Sequence, residues 1–177
     1  MLPNIKNIIE ISNKIYNKNK KNSVINGLNY ENNNNLNKDD LQNMGYIDIS
    51  KKKFLKYIKN INIMNSNIKN AHGCKEPDEC YINIKLKKIY IIEKKFQKVQ
   101  GSACEKIQTV LFKKWHYENL IKDYNIIYIY CLSDWFYTNC NRELEYLDLH
   151  NIYYFNGNGN NYKNEIINYI KKHDNIN

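Results

Sequence analysis

Arginine is almost missing from this chain. Arg142 is the single arginine among 27 basic residues, and the other 26 are lysine. A guanidinium fork grips guanine or phosphate bidentately, so one arginine excludes a binding surface built mainly on such forks. Proline occurs twice and glycine six times, and no linker or internal repeat divides the 177 residues. No apolar stretch approaches the roughly 20 residues that a membrane helix needs, and the longest apolar runs are strand-sized, so no membrane partner is expected. Cysteine is scarce and odd in number: Cys74, Cys80, Cys104, Cys131 and Cys140 form no C-x-x-C pair. With no signal-peptide pattern, this leads to an expectation of free thiols in an intracellular, reducing compartment. Cytoplasm, nucleus and a viral replication compartment fit equally. His72, Cys74 and Cys80 lie close together, but their spacing fits no common structural zinc pattern.

What is present is positive charge and asparagine. The formal charge is +9 and the pI near 9.1, which favours a polyanionic partner. Asparagine makes up about a fifth of the chain, and isoleucine, lysine and tyrosine are abundant. The length fits a single domain with a real core.

Apolar positions Ile5, Ile8, Ile9, Ile11 and Ile15 predict a short amphipathic helix over residues 2–16. A second helix begins near Ser23 and includes Gly27, Leu28, Tyr30 and Glu31. It meets a poor helix interior at Asn32 to Asn35, where side-chain amides compete for backbone hydrogen bonds. Gly45 to Ile49 reads as a short strand, while Lys51 to Ile63 is ambiguous between helix and strand. Cys80 to Ile84 and Ile89 to Phe96 read as a hairpin around a basic turn. Gly101-Ser102 then opens one helix from Ala103 to about Lys122. Asn125 to Leu132, without charge, predicts a buried strand. Glu143 to Leu149 and Asn164 to Lys172 predict helices, and Ile152 to Phe155 a strand. The expected architecture is α/β with a mixed sheet, the strands at Ile89 and Asn125 being parallel across a helical crossover.

The chemistry concentrates between Pro77 and Gln97. Side chains alternate along a strand, so Glu93, Lys95 and Gln97 are expected on one face. If Asp78 starts the preceding antiparallel strand, its carboxylate lies beside Glu93. Two such carboxylates repel unless a proton or cation sits between them. Magnesium takes oxygen ligands and keeps several waters, which suits this pair. Lys95 is placed to orient or deprotonate an attacking water, and Gln97 to position it. An acid-x-lysine triplet is weak by itself in so lysine-rich a chain, and its context gives it meaning. Glu31 is a candidate additional metal ligand. Ser102 and Lys106, at the start of the following helix, are candidates for phosphate contact. So are Lys85, Lys87, Lys88, Lys113 and Lys114.

Taken together, Glu76-Pro77-Asp78-Glu79, Ile91-Ile92-Glu93-Lys94-Lys95-Phe96-Gln97 and Gly101-Ser102-x-x-Glu105-Lys106-x-Gln108-Thr109 resemble the PD-(D/E)XK nuclease superfamily, in particular its type II restriction endonuclease-like members. The upstream Gly27-x-x-Tyr30-Glu31 resembles the glutamate-bearing first helix of many members, and Ile126 to Leu132 with Ser133-Asp134-Trp135-Phe136 fits a fourth core strand. The resemblance implies a restriction endonuclease-like αβββαβ core over about residues 23–136, within one nuclease domain of residues 1–177 carrying peripheral helices at both ends. It implies a DNA endonuclease that uses Mg2+, with Mn2+ as a substitute, and leaves 5′-phosphate ends. Asp78 and Glu93 carry over as metal ligands, Lys95 as the catalytic lysine, and Gln97 as the glutamine two residues beyond it. Double-stranded DNA is the implied partner, with a homodimer to cut both strands. Repair, junction-resolving and mobile-element nucleases share the pattern. A basic nucleic-acid-binding module with structural carboxylates is the alternative from another class.

Overall fold

The computed structural model describes residues 22, 24–69, 71–72, 74 and 76–175. The helix expected over residues 2–16 lies outside them. Five strands form one mixed sheet in the order β1 (Ile47–Asp48), β2 (Glu79–Asn83), β3 (Lys88–Lys95), β4 (Asn125–Leu132), β5 (Tyr153–Asn156). β2 pairs antiparallel with β1 and β3, whereas β3, β4 and β5 are mutually parallel neighbours. The carboxyl ends of β3, β4 and β5 therefore share an edge with the start of β2.

Helices cover both faces, which explains the unbroken apolar runs of β3 and β4. On one face Ile89, Ile91, Ile126, Tyr128, Tyr130 and Leu132 pack in a common core. The helices of that face are α3 (Lys53–Asn60), α4 (Ala103–Gln108), α5 (Val110–Leu120), α6 (Asp134–Asn139) and α7 (Asn141–Leu149). On the other face Tyr90, Ile92, Ile127 and Ile129 meet α1 (24–33), α2 (Lys38–Asn43) and α8 (Tyr162–Asp174). α/β architecture with a mixed sheet flanked by helices is thus present, and the crossover strands are parallel as expected.

Several elements differ from expectation. Lys51 to Ile63 resolves to the helix α3, which buries Phe54 and Ile58. The single helix expected after Gly101-Ser102 is two, because Thr109 lies between α4 and α5 and its hydroxyl donates to the Lys106 carbonyl at 2.8 Å. That local bond competes with a continuous backbone ladder. Beyond residue 136, β5 extends the sheet and α8 buries Ile166, Ile167 and Ile170. Asp174 at the end of α8 accepts from Lys88 Nζ at 2.6 Å, from the Tyr90 hydroxyl at 2.8 Å and from the Tyr46 hydroxyl.

Cys104 and Cys140 are joined in a disulfide, Cα–Cα 6.3 Å, whereas Cys74, Cys80 and Cys131 are free and buried. The expectation of free thiols throughout is corrected for that pair. Sequence spacing cannot show it, because the 36-residue separation closes only when α4 lies against α7. No helix among the described residues is long and apolar enough to cross a membrane.

Candidate active site

The β2–β3 register pairs Glu79 with Ile92, which sets Asp78 level with Glu93 at the shared edge. Asp78 Oδ2 accepts from the Lys94 backbone N–H at 2.8 Å. In open α/β sheets the carboxyl ends of the strands are where ligands bind. The structure thus brings Asp78, Glu93 and Lys95 together, as the hairpin reading expected.

Glu93 is closely held. Lys95 Nζ lies 2.7 Å from its Oε1, and Lys113 Nζ reaches the same oxygen at 2.8 Å from α5. Burial favours the neutral acid, but Lys95 and Lys113 outweigh it and hold Glu93 below the usual carboxylate range. Asp78 goes the other way: burial and then the charge of Glu93 raise it to about 6, against the opposing pull of Lys95. Burial works against the Lys95 ammonium, yet Glu93 and Asp78 prevail and hold its pKa above the ordinary lysine value.

Glu31, on α1, is half-buried and acts electrostatically on both Asp78 and Lys95. It lines a cleft of about 760 Å³ together with Lys95, Gln97, Lys98, Ser102 and Lys106. Asp78 opens instead onto a neighbouring cleft of about 380 Å³, bordered by Lys38, Asp48 and Lys51 to Lys53. The run Lys51-Lys52-Lys53 was visible in the sequence as a charge run and carried no assignment there.

Gln97 departs from the expected alternation. β3 ends at Lys95, so the strand period does not extend to Gln97. Its side-chain amide donates to the Val99 carbonyl at 2.6 Å, and its backbone is clasped by Ser133 Oγ, which accepts from Gln97 N at 3.0 Å and donates to its carbonyl at 3.1 Å. In the turn that follows, an added Cβ at Gly101 would stand 2.5 Å from Gln97 Nε2, so a larger residue there would displace the Gln97 amide.

The lysines separate into groups. Lys106 is exposed at the cleft. Ser102 lines the same cleft and makes no capping hydrogen bond at the start of the six-residue α4. Lys113 is bound to Glu93 rather than free for the nucleic-acid backbone. Lys114 lies 3.8 Å from Glu118. Lys85, Lys87 and Lys88 sit at the opposite end of the sheet, since Lys88 to Lys95 spans roughly 23 Å of strand. Lys88 is moreover engaged by Asp174. These three do not join the site.

The donor set suits a hard cation: two carboxylates and, beside them, the Lys94 carbonyl, which Lys95 Nζ approaches at 3.2 Å. Burial and then the Glu93 charge raise Asp78, and a cation held between the two carboxylates would oppose that shift. The carboxylates of Glu31, Asp78 and Glu93 are not all within 4.8 Å of one another; among the described residues only Cys104, Cys140 and Glu143 form such a group. Two of those are consumed in the disulfide. The zinc trio is not assembled either: Cys74 and Cys80 are buried in the core, and His72 is exposed.

Comparison with known protein families, with curated proteins and with solved structures gives no match for this chain.

Proposed function

We propose that the chain is a magnesium-dependent DNA endonuclease of restriction type, acting on duplex DNA as a homodimer at a short site. The observation that carries the reading is the level placement of Asp78 and Glu93 on neighbouring strand ends, with Lys95 bonded to Glu93. The succession α1, β1, β2, β3, α4–α5, β4 supports it, since it contains the αβββαβ order that the PD-(D/E)XK resemblance implies, with α2 and α3 as insertions.

Asp78 and Glu93 are the residues that would hold magnesium, with Glu31 at the edge of the set. Bound there, it supplies charge neutralisation at a phosphate oxygen and a more acidic water. Lys95, its pKa raised, works as an ammonium: it orients the water and stabilises negative charge on phosphate rather than taking a proton. Lys98 and Lys106 flank the cleft as phosphate contacts, and Gln97 shapes its floor. Arg142 pairs with Glu145 on α7 and lines neither cleft, so base reading falls to asparagine, glutamine and lysine.

Incubation of defined plasmid DNA with the purified chain and magnesium, followed by sequencing of the ends, tests the reading. Discrete fragments with 5′-phosphates support restriction, and products without sequence preference count against it. Asp78→Ala, Glu93→Ala and Lys95→Ala each abolish cleavage while DNA binding survives.

One observation favours a second reading, a basic nucleic-acid-binding module with structural carboxylates. Glu93 is already saturated at Oε1 by two ammonium groups. On that reading the same three substitutions alter neither binding nor any activity.

A further inference from the structure

Lys94 stands between Glu93 and Lys95 in the chain and points to the opposite face of the sheet. Its side chain is 1 % exposed, with Nζ 2.5 Å from Glu79 Oε1. The same ammonium donates to the Glu31 carbonyl at 2.7 Å and to Asn35 Oδ1 at 2.6 Å. Those two hydrogen bonds and the ion pair occupy the ammonium; the Glu79 contact is a close charge pair and not an aligned hydrogen bond, since Glu79 Oε1 has no hydrogen-bond partner among the described residues. Glu79 Oε2 in turn accepts from the Leu36 backbone N–H at 3.1 Å and from the Tyr81 hydroxyl. The network ties β3 to β2, and both to the end of α1 and the segment after it.

The last carbonyls of a helix have no partner within it. Asn34 N–H takes the Tyr30 carbonyl at 3.1 Å, and Lys94 takes the next one, that of Glu31. A buried ion pair is a weak source of stability, since an apolar pair of similar volume often does as well. Such a pair is better explained by what it fixes in place. Lys94 holds Asp78 through its backbone N–H and the Glu31 residue through its ammonium.

We propose that Lys94, backed by Glu79, is a positioning residue for the candidate site: it docks the end of α1 onto the sheet and so sets Glu31 beside Asp78 and Lys95. The use made of Glu31 rests on the nuclease reading, while the docking stands apart from it.

The test uses the full chain, the double variant Lys94→Met/Glu79→Met, the single variant Glu31→Gln, and the triple variant. Hydrogen exchange across residues 24–36 reads the docking, and calorimetric titration with Mn2+ reads the site. The double variant loses protection in α1 by tenfold or more while β3 and β4 keep theirs, and its Mn2+ affinity falls roughly tenfold or more. The triple variant binds Mn2+ no more weakly than the double, because both changes act through one carboxylate. Retained α1 protection in the double variant overturns the docking, and losses that multiply in the triple overturn the action through Glu31. An unaltered chain that neither binds Mn2+ nor cuts DNA overturns the use of Glu31, and exchange alone then decides the docking. Should the double variant fail to fold, nitrogen NMR of the unaltered chain decides: a slowly exchanging Lys94 ammonium signal is expected, and its absence overturns the proposal.

Discussion

Lys113 Nζ lies 2.8 Å from Glu93 Oε1, the same oxygen that Lys95 Nζ reaches at 2.7 Å. On the proposed nuclease reading, two cations on one oxygen would divide the work: with Lys113 in place, Lys95 could turn toward a phosphate without leaving Glu93 unpaired. Lys113→Met leaves Glu93 with one partner, so the fold survives while Lys95 is confined. We expect plasmid cleavage slowed roughly 100-fold, a size typical of positioned ionisable groups, and largely restored in Lys113→Arg. Cleavage at the unaltered rate in Lys113→Met would remove Lys113 from the site.

The two carboxylates have opposite stability signatures. Asp78 is raised to about 6 by burial and by Glu93, above the value of an unfolded aspartate. The folded chain therefore binds the extra proton more tightly, and stability falls as pH rises from about 4 through 6. Asp78→Asn removes that cost and still accepts from Lys94 N–H, so it stabilises the chain by about 1 to 3 kcal/mol at pH 7.5. The gain vanishes below about pH 4, where both states are protonated. Melting curves of both proteins between pH 3.5 and 8 check this, and an Asp78→Asn chain less stable at pH 7.5 contradicts it.

Glu93→Gln goes the other way. It leaves Lys95 and Lys113 partly buried around a neutral amide, a situation that costs about 3 to 5 kcal/mol for buried pairs. Urea unfolding at pH 7.5 should show a loss of that order, and an unchanged midpoint would mean that the two lysines are better solvated than their geometry implies.

Strand period and apolar content made the centre of this fold readable. The uncharged run of β4 and the hairpin of β2 and β3 lie where alternation put them, because those segments are buried on one or both faces whatever surrounds them. Lys113 was legible only as a basic residue on a helix; its partner is 20 residues away in sequence, and the helix crossing that joins them leaves no local mark. Glu79 and Lys94 were equally opaque, since a charge on a strand reads as a solvated end until both faces prove covered. Gln97 failed for a different reason: alternation holds only while the strand lasts, and β3 stops two residues earlier. Asp174 lies just beyond the helix read over Asn164 to Lys172, and nothing local in the sequence marks that its side chain is fully buried.

Asp174 gathers Lys88, Tyr46 and Tyr90 from β3 and the loop before β1. Burial works against its charge, but these donors and His173 hold its pKa below the ordinary value. Its contribution is therefore present above the unfolded aspartate value and is lost as pH falls through the lower, folded one. Asp174→Ala strands an ammonium and two phenols, and we expect a loss of about 3 kcal/mol at neutral pH. Urea denaturation at pH 7 and pH 3 checks both parts: the variant's deficit should shrink at the acid end. A deficit independent of pH would mean that packing, not charge, holds the end of α8.

The disulfide makes a chemical prediction that needs no activity. Cys104 and Cys140 are joined, and Cys74, Cys80 and Cys131 are free and buried. A thiol reagent should find almost nothing in the folded chain, three thiols after denaturation without reductant, and five with reductant. Closing a loop of 36 residues removes chain entropy from the unfolded state, so Cys104→Ser/Cys140→Ser should unfold with about 3 to 4 kcal/mol less stability. The pair ties the start of α4 to the α6–α7 junction, and Gln108 Nε2 reaches Glu143 Oε1 at 3.0 Å across the same contact. That hydrogen bond should survive the substitution, so the variant is expected to fold with its sheet intact. Five reactive thiols in denatured, unreduced protein would show that the two cysteines are neighbours without a bond.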